Sequence, residues 1–275
     1  MSERRRLLRS LAGLSLAVLP WGARSQSGRA DPSDELARQA VARADRIRNP
    51  QQSFRTTMRL TEFRDGKARD SATLVLYSKP DGASGRFRNL ARYLEPAADF
   101  GKAVLMDDQA FWFYDPASAA SIRISPQQRL VGQAANGDVM SVNFGLDYAP
   151  RMLGEETIRD ADNAERKTFR IELRAASKAA VYLRIEYWIE RDSFQPVKAR
   201  FFVDSGRALK LAFYRRFSRQ LGEMRPGEMV ILDEVDPVLV TRIVLGGYAA
   251  EDIPDNWFNR DYLPRLRDGA GAARP

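Results

Sequence analysis

No cysteine and no histidine occur among the 275 residues. Without cysteine there is no disulfide, no thiolate nucleophile, no lipidated cysteine and no thiolate metal site. Without histidine the Ser–His–Asp and Cys–His arrangements cannot be assembled. Zinc and copper, which nearly always take imidazole or thiolate, lose their usual ligands. What remains is carboxylate or lysine chemistry, or a function that makes and breaks no bonds. The expectation is a protein that is not an enzyme and needs no metal or cofactor. Long apolar runs are also missing. The stretch Leu11–Leu19 falls well short of the roughly 20 residues that span a bilayer.

That stretch has another reading. Arg4, Arg5, Arg6 and Arg9 precede it, Pro20 and Gly22 break it, and Ala23-Arg24-Ser25 offers the small residues that signal peptidases read. Residues 1–25 are therefore expected to be a cleaved signal peptide, directing the chain to the periplasm by the general secretory route or, given the consecutive arginines, the twin-arginine route. A thiol-free chain suits an oxidising compartment, because it cannot be mispaired. The segment also distorts the charge. The whole chain carries 44 basic and 36 acidic residues, a net +8; removing five arginines and Glu3 leaves 39 and 35, a net +4. Half of the apparent basicity is targeting signal, and a nucleic-acid partner is not expected.

Beyond residue 30, Asp31-Pro32 reads as a helix start, with a capping carboxylate and a proline in the first turn. Leu36, Ala40, Val41, Ala44 and Ile47 share one side at helical spacing, and Asn49-Pro50 closes the helix. From Phe54 the period changes to two. Phe54, Thr56, Met58 and Leu60 alternate with Arg55, Thr57, Arg59 and Thr61, and Arg64-Asp65-Gly66-Lys67 is a hairpin signal. Strands are predicted over 72–77, 87–94, 103–107, 110–114 and 121–124. The second half alternates more regularly, over 169–173, 181–189, 197–203 and 209–213, with Leu209, Leu211 and Phe213 set against Lys210 and Tyr214. Two further strands, 230–235 and 238–245, precede a segment anchored by Trp257, Phe258 and Tyr262. Short connections between alternating strands mean an antiparallel meander, and a sheet of about ten strands curls rather than staying flat. The fold class is mainly β, with one long helix near an apolar concave face. A single domain over 26–264 and a flexible tail over 265–275 are expected.

Several stretches, taken in order, carry a resemblance. They are Phe111-Trp112-Phe113-Tyr114-Asp115-Pro116, Gly137-Asp138-Val139-Met140, Trp188 before Pro196-Val197-Lys198-Ala199, Ser205-Gly206-Arg207-Ala208-Leu209-Lys210, and Ile253-Pro254-Asp255-Asn256-Trp257-Phe258. In order and spacing the chain resembles the outer-membrane lipoprotein-sorting proteins, a LolA-like family, over roughly residues 33–264. The resemblance implies an incomplete β-barrel of LolA/LolB type, closed by helix around an apolar cavity. It implies a periplasmic carrier that shields the acyl chains of a lipid or lipoprotein. An inner-membrane exporter would be its donor and an outer-membrane protein its acceptor. The chain is longer than the better-known carriers, so free lipid fits as cargo as well as lipoprotein does. An interaction or sensor module on the same half-barrel is the alternative; a carboxylate-dependent hydrolase ranks below both. A monomer is expected.

The candidate cavity residues are Met58, Leu60, Leu74, Leu76, Leu105, Trp112, Tyr114, Ile185, Tyr187, Phe201, Leu211 and Phe213. Periodicity puts apolar side chains on a common face but leaves open whether they form filled core or cavity wall. Arg92, Arg123 and Arg200 are strand arginines that suit either a lipid phosphate or a solvated face. Asp107-Asp108 and Asp233-Glu234 with Asp236 are the densest acids and read as strand ends and turns. Asp81-Gly82-Ala83-Ser84-Gly85 lacks the lysine of a phosphate loop and reads as a turn.

Overall fold

The computed structural model describes residues 31–266, apart from 108, 109 and 179. The expected signal peptide, Asp108 and the chain beyond Leu266 lie outside the described residues. Helix α1 (Pro32–Arg48) starts as its sequence requires. The Asp31 carboxylate accepts from the Ser33 amide at 2.9 Å, and Pro32 sits where no amide donor is needed. Its buried side is built of Ala37, Ala40, Val41 and Ala44, small enough for the helix to lie close against its neighbours. No helix among the described residues is long and apolar enough to cross a membrane.

Six strands follow as a meander: β1 (Phe54–Arg64), β2 (Lys67–Pro80), β3 (Phe87–Glu95), β4 (Ala103–Asp107), β5 (Ala110–Asp115) and β6 (Ala120–Ile124). The chain then leaves the sheet. It makes a small ladder of β7 (Arg129–Val131) with β8 (Ala134–Ala135), and two helical turns, α2 (Asn136–Val139) and α3 (Phe144–Asp147). It returns as β9 (Tyr148–Arg159), β10 (Glu165–Ala175), β11 (Arg184–Glu190), β12 (Pro196–Phe202) and β13 (Ala208–Arg215). A separate hairpin, β14 (Ser218–Gln220) and β15 (Glu223–Arg225), precedes β16 (Glu228–Asp233) and β17 (Leu239–Ala250).

Thirteen of these strands form one antiparallel sheet in the order β6-β5-β4-β3-β2-β1-β17-β16-β13-β12-β11-β10-β9. The two meanders are joined where β17 turns back on β1, from Phe54 opposite Ala250 to Arg64 opposite Leu239. Strands β6 and β9 are the free edges, so the sheet does not close into a barrel.

Alternation divides the apolar residues between two faces. The inner face gathers Met58, Leu60, Leu74, Leu76, Ile171, Ile185, Tyr187 and Phe201 with the buried side of α1. The outer face has two covers. Over β2 to β5, Val75, Tyr77, Leu90 and Leu105 pack beneath Ile253, Phe258, Leu263 and Leu266. Leu266, within the expected tail, is packed in this outer cluster. Over β9 to β13 the outer face carries ion pairs instead: Arg151 and Arg174 meet Glu172 at 3.0 and 2.8 Å, and Arg170 meets Glu186 at 2.8 Å.

Three features depart from the sequence reading. Strand β9 gives no clear alternation signal, because its sequence carries Pro150, Gly154 and several charges. An edge strand tolerates these, and Gly154 (φ +143°) sits at a bulge opposite Arg170 and Ile171. Strand β11 begins at Arg184, so Val181 and Tyr182 pack as loop residues. On β13 the faces are exchanged: Lys210, Ala212 and Tyr214 point inward and are buried, whereas Leu211 and Phe213 are only partly covered; Leu209, at the register shift with β12, packs against the inner cluster.

The Glu172 cluster sets an acid limit on stability. The hydrogen bond from Arg174 holds the Glu172 carboxyl below its usual value of 4.5, against burial and with help from Arg151. The folded state therefore releases this proton more readily than the unfolded chain. The contribution is complete above about pH 4.5 and is lost as pH falls through the lowered folded value. In urea unfolding from about pH 6 to about pH 3, Glu172→Gln is expected to flatten the acid decline of stability. An unchanged decline in the variant would contradict this assignment.

Candidate functional site

The interior of the half-barrel is covered by elements that are not part of its ladder. Helix α1 and the excursion from Arg129 to Asp147 lie across the inner face and contribute Val131, Ala134, Val139, Met140 and Phe144 to the inner cluster. Gly132 (φ +55°) allows one close approach: a Cβ there would fall 2.3 Å from Thr241 Oγ1 of β17. The adjacent Gln133 amide donates to that same hydroxyl at 2.8 Å.

Polar contacts fasten the cover at several points. Asn89 of β3 donates to the Ser141 carbonyl at 3.1 Å and accepts from its amide at 3.0 Å. Arg48 at the end of α1 and Asn49, its C-cap, both donate to the Val142 carbonyl. Asp45 accepts from the Gly145 amide at 2.8 Å and from Arg48 at 2.6 Å. Burial pushes the Asp45 carboxyl above its usual range, with Arg48 pulling the other way. Arg86 pairs with Asp147 at 2.7 Å. The deepest fastening is ionic. Lys210 Nζ pairs with Asp138 in α2, at side-chain exposures of 2% and 5%, and also donates to the Gln133 carbonyl at 3.1 Å. Asp138 further accepts from the Ala135 amide at 2.7 Å and the Tyr182 hydroxyl at 3.0 Å.

This pair explains the exchanged faces of β13. A buried lysine is tolerable only if an anion meets it, and Asp138 is held in place to do so. Leu211 and Phe213 are consequently turned outward and do not line the interior. Leu105, Trp112 and Tyr114 are also displaced from the expected set: Leu105 and Tyr114 are buried in the outer cluster, and Trp112 packs against it. On β5 it is Phe111 and Phe113 that face inward. Met58, Leu60, Leu74, Leu76, Ile185, Tyr187 and Phe201 do converge on one inner cluster.

A cleft of about 70 Å³ opens among Phe54, Met58, Leu76, Met140, Met229 and Leu245, and another of about 120 Å³ beside Ala72, Tyr93, Phe113 and Val131. Neither reaches the roughly 300 Å³ at which small-molecule sites begin. An apolar guest would need the cover to move.

The acidic candidates do not converge. Asp233 accepts from the Val235 and Asp236 amides at 2.7 and 3.1 Å and shapes a turn. Glu234 pairs with Arg200, and Asp236 with Arg64 at 3.3 Å. Asp107 lies at the exposed end of β4. Asp81 binds the Ala83 amide and the Ser84 hydroxyl within its turn. Among the described residues no three acids are grouped to hold a metal. Arg123 is exposed on edge strand β6, and Arg92 lies on the outer face.

Lys210 and Asp138 are not recognisable as a pair from the sequence, although both fall in stretches that carry the family resemblance. Leucines at 209 and 211 set the apparent apolar phase of β13. The contrary signal was Ala212 and Tyr214 sharing the phase of Lys210.

Comparison with known proteins agrees with this architecture. A family model described only as "Uncharacterized protein" matches residues 85–265. A LolA superfamily protein from Nitrosomonas europaea is 32% identical over 82% of this chain and 98% of that one, with a TM-score of 0.73. A Vibrio parahaemolyticus structure, described as an outer membrane lipoprotein-sorting protein domain, is 18% identical over 84% and 100%, with a TM-score of 0.70. A DUF1329 family protein from Desulfovibrio piger is 20% identical over 85% and 100%, with a TM-score of 0.71. The latter two share the fold. A search of the curated proteins finds no match.

The buried pair gives a direct test. Lys210→Met leaves Asp138 without its cation and is expected to cost about 3–5 kcal/mol in urea unfolding. Combining it with Asp138→Asn, which removes the charge and keeps hydrogen-bonding atoms, should recover at least half of that loss. Strict additivity of the two substitutions would refute the pairing.

Proposed function

The chain belongs to the LolA superfamily, and from that membership we propose that it is an exported periplasmic carrier that shields an acyl chain between its sheet and its cover. The observation that carries the reading is the unclosed sheet: its apolar inner face is covered by α1 and the 129–147 excursion, not by a ladder. Such a cover can move without breaking the sheet. An acyl chain entering at the cleft beside Met58, Leu76, Met140 and Met229 keeps apolar contact with both layers. Each buried methylene contributes about 0.8 kcal/mol, so a long chain outweighs several hydrogen bonds of about 1 kcal/mol each. Methionines at the entrance suit chains of varied length and shape. Shielding of this kind needs no titrating group, which agrees with a chain free of histidine and cysteine. Release would follow contact with a membrane or an acceptor that favours the open form.

The test is to purify the full chain from periplasm and extract it with organic solvent. About one acyl lipid per protein is expected, together with uptake of a fluorescent fatty acid by the delipidated protein. Asn89→Ala removes the fastening to Ser141 and should speed that uptake roughly fivefold, as read by stopped-flow fluorescence. No bound lipid together with no probe uptake would overturn the carrier reading. A stable protein complex in place of lipid would favour an interaction module.

A further inference from the structure

Arg92, Ala103 and Tyr114 stand opposite one another in a single row across β3, β4 and β5, on the outer face. The row runs large, small, large. Its central alanine leaves a hollow that the sheet itself cannot fill. Leu263 and Leu266 roof the hollow, and Phe100, half exposed, stands at its rim. The cavity so formed is about 300 Å³, larger than the clefts beside the inner cluster, and the sheet separates it from the one at Met58.

Among the described residues, half-buried Arg92 has no acidic partner, and the Tyr114 side chain makes no hydrogen bond within the protein, although its hydroxyl is not sealed from solvent. On the other half of the outer face, Arg151, Arg170, Arg174 and Arg200 are all paired. An arginine left free at the wall of an apolar hollow, with a hydroxyl beside it in the same row, is a donor set without an acceptor. Guanidinium presents two parallel donors that match a carboxylate, and a phenolic hydroxyl can supply one more.

We propose that this outer-face cavity binds a medium-chain aliphatic carboxylate, its head on Arg92 and Tyr114 and its chain over Ala103 beneath Leu263 and Leu266. Size sets the class. About 300 Å³ lies at the lower limit of small-molecule sites. That size suits a chain of about ten carbons better than a whole phospholipid. One arginine and one hydroxyl suit a single negative charge better than a phosphate, whose three oxygens call for more donors. The site does not depend on the carrier reading, because it lies across the sheet from the interior.

Decanoate is the probe, with decanol as its uncharged counterpart, and isothermal titration calorimetry of the full chain is the measurement. Arg92→Gln removes no ion pair, so the fold is expected to survive; thermal unfolding checks this. The variant should weaken decanoate binding about tenfold or more and leave decanol binding unchanged. Ala103→Leu fills the hollow and should abolish binding of both. Tyr114→Phe, which deletes the hydroxyl alone, should weaken decanoate only. Decanoate binding that is equal in the native chain, Arg92→Gln and Ala103→Leu would place the ligand elsewhere and overturn the proposal. Absence of any binding to the native chain would do the same.

Discussion

The ion pair between Lys210 and Asp138 is the constraint on which the interior of this protein depends. Two opposite charges lie between the sheet and its cover at side-chain exposures of 2% and 5%, where neither is tolerable alone. Lys210 belongs to the sheet and Asp138 to the cover, so the pair fixes where the cover sits. It also fixes the phase of β13: once Lys210 faces inward, Ala212 and Tyr214 follow it, and Leu211 and Phe213 face the outside. The surrounding contacts of Asp138 with Ala135 and Tyr182 satisfy the remaining lone pairs, as a buried carboxylate requires.

The sheet presents two faces that are covered differently. The inner face is roofed by separate elements held at polar points, and the outer face is partly roofed by the last turns of the chain. Polar fastenings are directional and few, whereas apolar packing is broad and indifferent to register. A cover built in this way has one preferred seat; leaving it breaks no ladder hydrogen bond but separates Lys210 from Asp138. The superfamily relationship supplies the carrier reading, and the unclosed sheet supplies its physical basis.

Much of the architecture was legible in the residues. The capped start of α1, the Asp-Gly hairpin between β1 and β2, and the alternation of β10, β11 and β12 each rest on local physics that the sequence displays. Seven of the twelve candidate interior residues, Met58 and Tyr187 among them, share the inner cluster. The failures have specific causes. Strand β9 is an edge strand whose proline and glycine disguise it. On β5 every position from Phe111 to Tyr114 is aromatic, so alternation carries no phase, and Trp112 and Tyr114 go to the outer cluster with Leu105. On β13 an ionic partner about 70 residues away along the chain outweighs the local leucine pattern.

The sequence by itself determined the class of structure, a curled antiparallel meander with one leading helix. It also excluded thiol and imidazole chemistry, since residues that are absent cannot be supplied by folding. Only the tertiary structure decided which apolar face is interior, that α1 and the 129–147 excursion cover it, and that Arg92 and Tyr114 share a hollow with Ala103. Periodicity reports that side chains lie on one face. What covers that face depends on contacts between residues far apart in the chain, and spacing along a strand does not encode them.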